Sequence, residues 1–346
     1  MARAENLGVG IIGIGRIGEI HARNLQRMQG VAVRSIADAD TRSEKVAYVK
    51  GLARELGIAN VVTDSKRLIE DPKVHAVFIC SPTATHPQLI KDIADAGKDI
   101  FCEKPVSFSV DETREAVEYA EEKGAKLQIG FHRRFDPEFA RVKKAIDTGE
   151  IGEPCNVVIT SRDPAPPGKN YLTGSGGIFL DMAIHDFDMA RHLAGREVDE
   201  VFASGAALIS DEVDELGDAD TANINLKYED GSLGIVIVSR DAAGFYDQRI
   251  EVFGERGSLR SENKYPNTVE VFTPEGVKRD LPEHFFPHRY VVAYNEEVKA
   301  FVASVREESE PPVTGWDGLA AEQIALAAKK SFETDMPVLV EDLIHE

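Results

Sequence analysis

The sequence has few cysteines, little positive charge and no long apolar run. Its 346 residues include three cysteines, Cys80, Cys102 and Cys155, an odd set without the spacing of a metal site. We interpret them as reduced thiols of a cytoplasmic protein. No apolar stretch approaches the roughly 18 residues that span a bilayer, and the first residues lack the apolar core and cleavage site of a signal peptide. We therefore expect no disulfide framework and no membrane segment.

The deficit of basic residues limits the possible partners. The 40 Lys and Arg residues against 60 Asp and Glu residues give a formal net charge of -20 at pH 7. Nucleic acids and anionic membranes attract surfaces rich in Lys and Arg, so we expect neither as a partner. Apolar residues make up 42% of the chain, enough for sizeable cores, and the length favours two domains. We place them at residues 1–131 and 132–346.

The first part of the chain alternates apolar, strand-like runs with helical patterns. This alternation predicts an α/β fold with a doubly wound parallel sheet. The predicted strands are 9–12, 31–37, 74–80, 100–102 and 127–130. The predicted helices are 17–28, 41–56, 86–96 and 110–123, with Thr41 or Ser43 capping the second and Ser109 the last.

The remainder of the chain has a different secondary-structure pattern. Short alternating strands separated by Gly- and Asp-containing turns predict an α+β domain with a large, mostly antiparallel, open sheet. The predicted strands are 156–161, 200–208, 222–228, 232–239, 248–254 and 268–272. The predicted helices are 178–193, 289–306 and 319–332, the last of which can pack back on the first domain.

A G-x-G-x-x-G motif links the first strand to the first helix. Glycines there permit a tight turn and a close phosphate approach, and the helix N-terminus offers unpaired N–H groups to a pyrophosphate. A structural glycine turn is the alternative. The motif assigns these residues to a dinucleotide cofactor: Gly13, Gly15, Arg16, Ile17 and Gly18.

Asp38 ends the second strand, where a carboxylate accepts hydrogen bonds from the adenosine ribose. The same carboxylate repels the 2′-phosphate of NADP, so the sequence predicts NAD. Arg34 and Arg42 are the cations near enough in sequence to leave NADP open.

Two further polar segments follow later strands. Ser81, Thr83 and His86 lie beyond Cys80, where a loop beside the nicotinamide ribose is expected, although Thr85 could equally cap a helix there. Lys104, held by a following proline, comes directly after another apolar strand. Lysine is rarely buried without a partner, and ligands bind beyond the carboxyl ends of parallel strands. Lys104 is therefore predicted to take part in chemistry.

A third candidate group lies in the second half of the chain. On an α-helix, Asp181, His185 and Asp188 fall at i, i+4 and i+7 on one face. A carboxylate one turn from an imidazole can orient it as an acid–base pair. In a dinucleotide enzyme, a base takes the hydroxyl proton of the substrate while a cation stabilises the developing alkoxide. His185 and Lys104 are the candidates, with Asp181 orienting the base.

The same helix allows other interpretations. The histidine could be structural. Asp188 and His192 could extend the row into a metal site, but no compact ligand motif is present and the lysine makes a metal unnecessary. Asp186 or Asp188 could instead pair with Arg191 at the helix surface.

Together, the G-x-G-x-x-G turn, the Glu103-Lys104-Pro105 motif and the D-x-x-x-H helix resemble the glucose–fructose oxidoreductase/inositol dehydrogenase/rhizopine-catabolism (Gfo/Idh/MocA) family over nearly the whole chain. Within that family the chain resembles the myo-inositol 2-dehydrogenases, through residues 130–136, 176–188, 244–247 and 315–318. The resemblance implies a Rossmann domain that binds NAD, with Glu103 and Lys104 near the cofactor, and a homotetramer formed through the open sheet.

The resemblance also assigns roles at matching positions. His185 is the general base, Asp181 its partner in a proton relay, and Lys104 contacts the reacting oxygen. The positions that match polyol contacts are Arg133, Asp163, Asp188 and Tyr246. Asp163 stands where asparagine is common and His132 replaces an apolar residue, so both bear on substrate identity.

Plainer roles remain open for several of these residues. Arg133 and Arg134 could pair with Asp136 or Glu138, Tyr246 could be core packing, and Trp316 could be a packing anchor or could close the cleft.

We therefore expect NAD-dependent oxidation of a secondary hydroxyl on a cyclic polyol, with myo-inositol giving 2-keto-myo-inositol. The alternatives are another inositol isomer, a pyranose or an anhydrosugar as substrate, an NAD-dependent glycosidase, or a non-catalytic dinucleotide sensor.

Overall fold

The computed structural model describes residues 6–343, which divide into two compact units. The first unit ends at His132 and also contains Tyr294–Leu319. The second unit comprises Arg133–Ala293 and resumes at Ala320. The segment Tyr294–Leu319, which the sequence prediction assigns to the second domain, therefore groups with the first unit.

The first unit is built on a six-stranded sheet in which every neighbouring pair is parallel. The strand order is β3-β2-β1-β4-β5-β6, which is the doubly wound arrangement predicted from the sequence. The strands are β1 Leu7–Ile12, β2 Val31–Ala37, β3 Asn60–Val62, β4 Ala76–Ile79, β5 Asp99–Cys102 and β6 Leu127–Ile129. The strand β3 is not predicted from the sequence, because its three residues, one exposed and two partly buried, carry too little periodicity.

Helices connect these strands and pack against an apolar core. Phe78 and Phe101 stack at 4.5 Å in the sheet, and Phe301 meets both rings edge-on. The helices are α1 Arg16–Gln26, α2 Ser43–Leu56, α3 Ser65–Ile69, α4 His86–Asp95 and α5 Val110–Glu122.

One of the two predicted helix caps is present in the structure and the other is not. Ser109 accepts a hydrogen bond from the Glu112 amide and caps α5, as predicted. Neither Thr41 nor Ser43 caps α2, whose N-cap is Arg42 without a side-chain cap. The physical reason lies in Asp40, whose carboxylate accepts from the Arg42 amide at 3.0 Å and organises this turn instead.

The second unit contains a seven-stranded sheet of order β12-β11-β7-β10-β9-β8-β15. Only β7 and β10 run parallel, so the predicted mostly antiparallel sheet is confirmed. Its strands are β7 Pro154–Arg162, β8 Val198–Ala206, β9 Thr221–Tyr228, β10 Leu233–Ser239, β11 Asp247–Gly254, β12 Gly257–Ser261 and β15 Val338–Leu339.

One predicted strand lies outside this sheet. The strand predicted at 268–272 is found as β13 Glu270–Thr273, which pairs only with β14 Gly276–Arg279 in an exposed two-stranded hairpin.

Helices cover one face of the large sheet, where Val157, Val236 and Val252 are buried. The helix α6, which begins at Pro137 and is capped by Asp136, is not among the helices predicted from the sequence. The remaining helices of the chain are α6 Pro137–Asp147, α7 Lys169–Leu172, α8 Ile184–Ala194, α9 Asp211–Asp214, α10 Phe286–Arg289, α11 Val291–Glu307 and α12 Gly315–Thr334.

Across residues 6–343, no helix combines the length and apolar character needed to cross a membrane.

Candidate active site

The glycine turn after β1 is tight on one side and open on the other. A Cβ on Gly13, which has φ +90, would lie 2.6 Å from the Ser81 amide nitrogen. A Cβ on Gly18 would lie 2.1 Å from the Gly13 carbonyl oxygen, whereas a Cβ on Gly15 would meet no atom within 4 Å. Gly15 and Arg16 are exposed at the start of α1. The turn therefore fits a pyrophosphate, which needs free backbone N–H groups and close approach.

Asp38, which directly follows β2, holds this turn through a hydrogen bond to its backbone. Its Oδ2 accepts from the Ile14 amide at 2.9 Å, and its Oδ1 accepts from the Asp40 amide at 3.0 Å. Lys45 Nζ lies 3.5 Å from Oδ2 and also donates to the Ile14 carbonyl. Sequence reasoning misses Lys45, although its place in the first turn of α2, just after β2, is a usable signal. Arg42 is instead exposed and paired with Asp40.

The loop after β4 is held by its own side chains. Ser81 Oγ and Thr85 Oγ1 are 2.7 Å apart, and Thr85 Oγ1 donates to the Pro82 carbonyl. Thr83 opens a short 3-10 turn, and Thr85 precedes α4 without capping its amides. Ser81 and Thr83 remain partly accessible.

His86 has a different place from the one the sequence suggests. The sequence groups it with the cofactor contacts, but the ring is only 1% exposed. Its Nδ1 lies 2.9 Å from the Pro105 carbonyl oxygen and its Nε2 lies 2.8 Å from the Ser81 carbonyl oxygen. Burial lowers the pKa of His86. The imidazole therefore joins the loop after β4 to the segment after β5, and both ring nitrogens are engaged there.

The Glu103-Lys104-Pro105 segment follows β5, and the Lys104–Pro105 peptide bond is cis. Lys104 is partly buried. Glu103, which the sequence groups with the cofactor contacts, places Oε1 2.7 Å from Nε2 of the buried His21 on α1. This pair connects the segment to the glycine-turn helix.

Glu297 is a second group that sequence reasoning misses. Its carboxyl is fully buried, and neither oxygen has a hydrogen-bond partner among the described residues. Burial raises the pKa of Glu297 well above its usual value, and the nearby Glu103 charge adds to this. No polar spacing marks it in the sequence.

In the second unit, the predicted helix begins with a π-helical segment, Ile178–Ala183, and continues as α8. Gly176 and Gly177, with φ of +85 and +81, lead into it. Asp181 belongs to the π-helical segment and His185 is the second residue of α8. Because a π-helix bonds i to i+5, the predicted i, i+4, i+7 face does not extend across Asp181.

Both carboxylate oxygens of Asp181 have partners that sequence reasoning misses. Tyr171 Oη donates to Oδ1 at 2.7 Å, and Arg240 Nη1 donates to Oδ2 at 3.3 Å. Arg240 directly follows β10 and is 1% exposed. Its position after an apolar strand is the same signal that marks Lys104.

The two arginines of the 130–136 stretch form buried ion pairs. Arg133 donates to Asp186 through Nη1 and to Ser161 Oγ at 3.1 Å through Nη2. Arg134 Nε donates to Asp188 Oδ2 at 2.9 Å. The sequence groups Arg133 and Asp188 with the polyol contacts, whereas here both serve internal pairs.

The structure gives other partners to two of the groups for which the sequence suggests plain pairings. Asp136 and Glu138 pair with Arg289, not with the two neighbouring arginines. Arg191 pairs with Glu197. The contact with Arg289 joins segments far apart in the sequence, so local spacing does not reveal it.

Asp163 lies just beyond β7, where its amide donates to the Ser239 carbonyl at 2.9 Å. Burial raises the pKa of Asp163 to about 7, against the lowering effect of Arg240, and the Asp181 charge raises it further. A carboxyl of this kind changes charge near neutral pH. It can donate a hydrogen bond only in its protonated form.

Of three aromatic residues flagged by the sequence, Tyr246 and His132 are buried and Trp316 is 38% exposed. Tyr246 is 6% exposed and meets Phe285 and Tyr290 edge-on. His132, at the end of the first unit, is buried and stacks on Tyr294 at 4.4 Å. The indole N–H of Trp316 donates to Glu121 at 2.6 Å.

The chain matches known proteins over almost its full length. Residues 7–131 match the GFO/IDH/MocA oxidoreductase family with an NAD-binding Rossmann fold, and residues 139–260 match the GFO/IDH/MocA C-terminal domain. An uncharacterized oxidoreductase of Bacillus subtilis (strain 168) is 48% identical over 97% of this chain and 97% of its own.

Two further relatives have named activities. The myo-inositol 2-dehydrogenase of Thermotoga maritima is 43% identical over 97% of this chain and 99% of its own. The crystal structure of scyllo-inositol dehydrogenase from Lactobacillus casei, with bound NAD(H) and scyllo-inositol, has a TM-score of 0.90 at 32% identity. It covers 97% of this chain and 99% of that one.

Proposed function

Because the chain belongs to the GFO/IDH/MocA family and is an NAD-dependent oxidoreductase acting on CH–OH groups, we propose that its substrate is a cyclic polyol. The favoured reaction is oxidation of myo-inositol to 2-keto-myo-inositol. The observation that carries this proposal is the 43% identity, over nearly the full length of both chains, to a myo-inositol 2-dehydrogenase.

The residues of the first unit hold the cofactor in this proposal. NAD, when bound, supplies the hydride acceptor. The open backbone at Gly15 receives the pyrophosphate, Asp38 receives the adenosine ribose, and Ser81 and Thr83 line the nicotinamide ribose. Lys104 holds its positively charged ammonium group beside the reacting oxygen, which lowers the energy of the alkoxide as it forms.

The second unit contributes the acid–base groups. His185 takes the hydroxyl proton, and Asp181 orients the imidazole and stabilises its protonated form. Asp163 contacts another hydroxyl of the polyol. Arg133, Asp188 and Tyr246 shape the polyol site in this proposal through the buried pairs and packing described above.

The test is a panel of polyols assayed with NAD. We expect NADH formation with myo-inositol, and higher KM or lower kcat with pyranoses and anhydrosugars. A site that hydrogen-bonds many hydroxyls rejects analogues that lack one, because its buried polar groups lose their partners. Aglycone release without net NADH formation would instead indicate a glycosidase. Absence of NADH with every polyol would refute the proposal.

A second candidate substrate is scyllo-inositol, since a scyllo-inositol dehydrogenase matches the fold at TM-score 0.90. The ratio of kcat/KM for the two isomers, measured with saturating NAD, distinguishes them.

We also propose that the protein is a cytoplasmic homotetramer joined through the open face of the seven-stranded sheet. Leu233 and Phe253 both lie opposite Asn156 in the strand register, and both are more than half exposed. Exposed apolar side chains on the two strands that flank β7 favour association through this face. Sedimentation of the wild type and of Leu233→Lys/Phe253→Lys tests this, with the variant expected at a lower mass.

A further inference from the structure

The carboxylate of Asp181 is held from two sides by residues that lie far from it in sequence. Tyr171 Oη donates to Oδ1 at 2.7 Å, and Arg240 Nη1 donates to Oδ2 at 3.3 Å. Two donors on different oxygens define the plane of a carboxylate, whereas one donor leaves it free to rotate. The orientation of this side chain is therefore set by its neighbours.

Arg240 is fixed more firmly than a surface arginine. Its side chain is 1% exposed, and its amide donates to the Asp220 carbonyl at 2.8 Å. Its Nη2 lies 4.0 Å from Asp218, whose carboxylate accepts from the Ile178 amide at the start of the π-helical segment. The guanidinium thus lies between the carboxylate on that segment and the carboxylate that holds the segment's first amide.

The same guanidinium has donor capacity left over. Among residues 6–343, neither Nε nor Nη2 of Arg240 has a hydrogen-bond partner within normal distance. A buried guanidinium is costly unless it is paired, and the charges that pair with this one are the carboxylates of Asp181 at 3.3 Å and Asp218 at 4.0 Å.

Tyr171 reaches Asp181 from a different element. It lies on the short helix α7, and its side chain is 56% exposed, so its ring contributes little to the core. The hydroxyl contact to Asp181 is its specific interaction in the structure.

We propose that Tyr171 and Arg240 are positioning residues that fix the Asp181 carboxylate for its work on His185. This role rests on the proposed function, since it assumes that Asp181 and His185 are the acid–base pair. Asp181 can steer the imidazole only if its own plane is defined. Loss of either donor lets the carboxylate rotate, which lowers the fraction of molecules with a correctly oriented base.

The first test removes one hydroxyl from the exposed tyrosine. We expect Tyr171→Phe to lower kcat on the order of 10-fold, the value of one hydrogen bond to a charged group, with KM for NAD and the melting temperature unchanged. Tyr119→Phe is the matched control, because Tyr119 Oη donates to Asp95 at 2.8 Å in the first unit. The control is expected to keep the wild-type kcat.

The second test keeps the charge but removes the fork geometry. Arg240→Lys retains a cation that can reach one carboxylate, and we expect a lower kcat with a folded protein. Arg289→Lys, at a buried arginine paired with Asp136 and Glu138, is its control. A comparable loss of kcat in both lysine variants would point to a general packing effect and overturn the role of Arg240.

Double-mutant kinetics distinguishes positioning from a merely structural role. If the two residues act through Asp181, Tyr171→Phe and Arg240→Lys should cost nothing further in an Asp181→Asn background. Additive losses would overturn the proposal. A wild-type kcat for Asp181→Asn would refute the acid–base assignment itself, and no NADH with any polyol would refute the proposed function, so these failures are distinguishable.

Discussion

Replacement of Asp163 by asparagine should change stability in a way that depends on pH. Burial raises the pKa of this carboxyl from its usual 3.8 to about 7. Between these two values, the unfolded chain has lost the proton while the folded chain still holds it. The folded state therefore binds more protons, and its stability falls as the pH rises through this window.

The size of the effect follows from that window. A difference of about three pKa units, at about 1.4 kcal/mol per unit, gives up to about 4 kcal/mol of stability lost by pH 8 relative to pH 4. Asparagine has nearly the same shape and does not titrate. The gain in stability from Asp163→Asn should therefore be small at pH 4, grow across the window, and level off above pH 7.

The assay is urea unfolding of both proteins at several pH values from 4 to 8. A difference between the two proteins that stays constant with pH would refute the reasoning, because it would show that the carboxyl titrates alike in the folded and unfolded states.

The same variant has a kinetic consequence. Neutral aspartic acid and asparagine can each both donate and accept a hydrogen bond, whereas aspartate can only accept. We expect the wild-type KM for the polyol to rise above pH 7 and the KM of Asp163→Asn to stay flat. A parallel rise in both proteins would assign the effect to another group.

Three other predictions concern the first unit. Glu297→Gln should become progressively more stable than the wild type as pH rises above about 4.5, because the buried acid keeps a proton that the unfolded chain loses; unfolding at pH 5 and 8 measures this. Gly18→Ala should lose both stability and NAD affinity, since its Cβ would meet the Gly13 carbonyl, whereas Gly15→Ala should lose NAD affinity alone; unchanged NAD binding in Gly18→Ala would contradict the turn geometry. Asp38→Ser should weaken NAD binding and raise the relative kcat/KM for NADP by leaving the Lys45 cation unopposed; an unaltered coenzyme ratio would count against the assigned role.

The regular elements could be predicted from sequence because their signals are local. Alternating apolar runs place β1, β2, β4, β5 and β6 within a few residues of where the structure has them. The hairpin of β13 and β14 lies outside the large sheet. Its separation could not be predicted, because the sequence of a short strand does not show which strand it pairs with.

The candidate site likewise contains some contacts that the sequence predicts and others that it does not. The glycine turn and Asp38 meet as predicted, because a motif and a strand end fix both positions. The partners of Asp181 could not be predicted, since Tyr171 and Arg240 approach it from separate elements. The role of His86 in joining the segments after β4 and β5 could not be predicted either, because these segments meet only in the folded sheet.

The central proposal is that Lys104 and His185 catalyse NAD-dependent oxidation of a cyclic polyol. The most direct measurement is the initial rate of NADH formation from myo-inositol and NAD for the wild type, Lys104→Ala and His185→Ala, with NAD affinity measured in parallel. We expect NADH from the wild type, a rate that rises with pH as a histidine base requires, and a loss of kcat on the order of 10²-fold or more in each variant with NAD binding largely retained. A wild-type kcat in His185→Ala, or no NADH from the wild-type protein, would contradict the account.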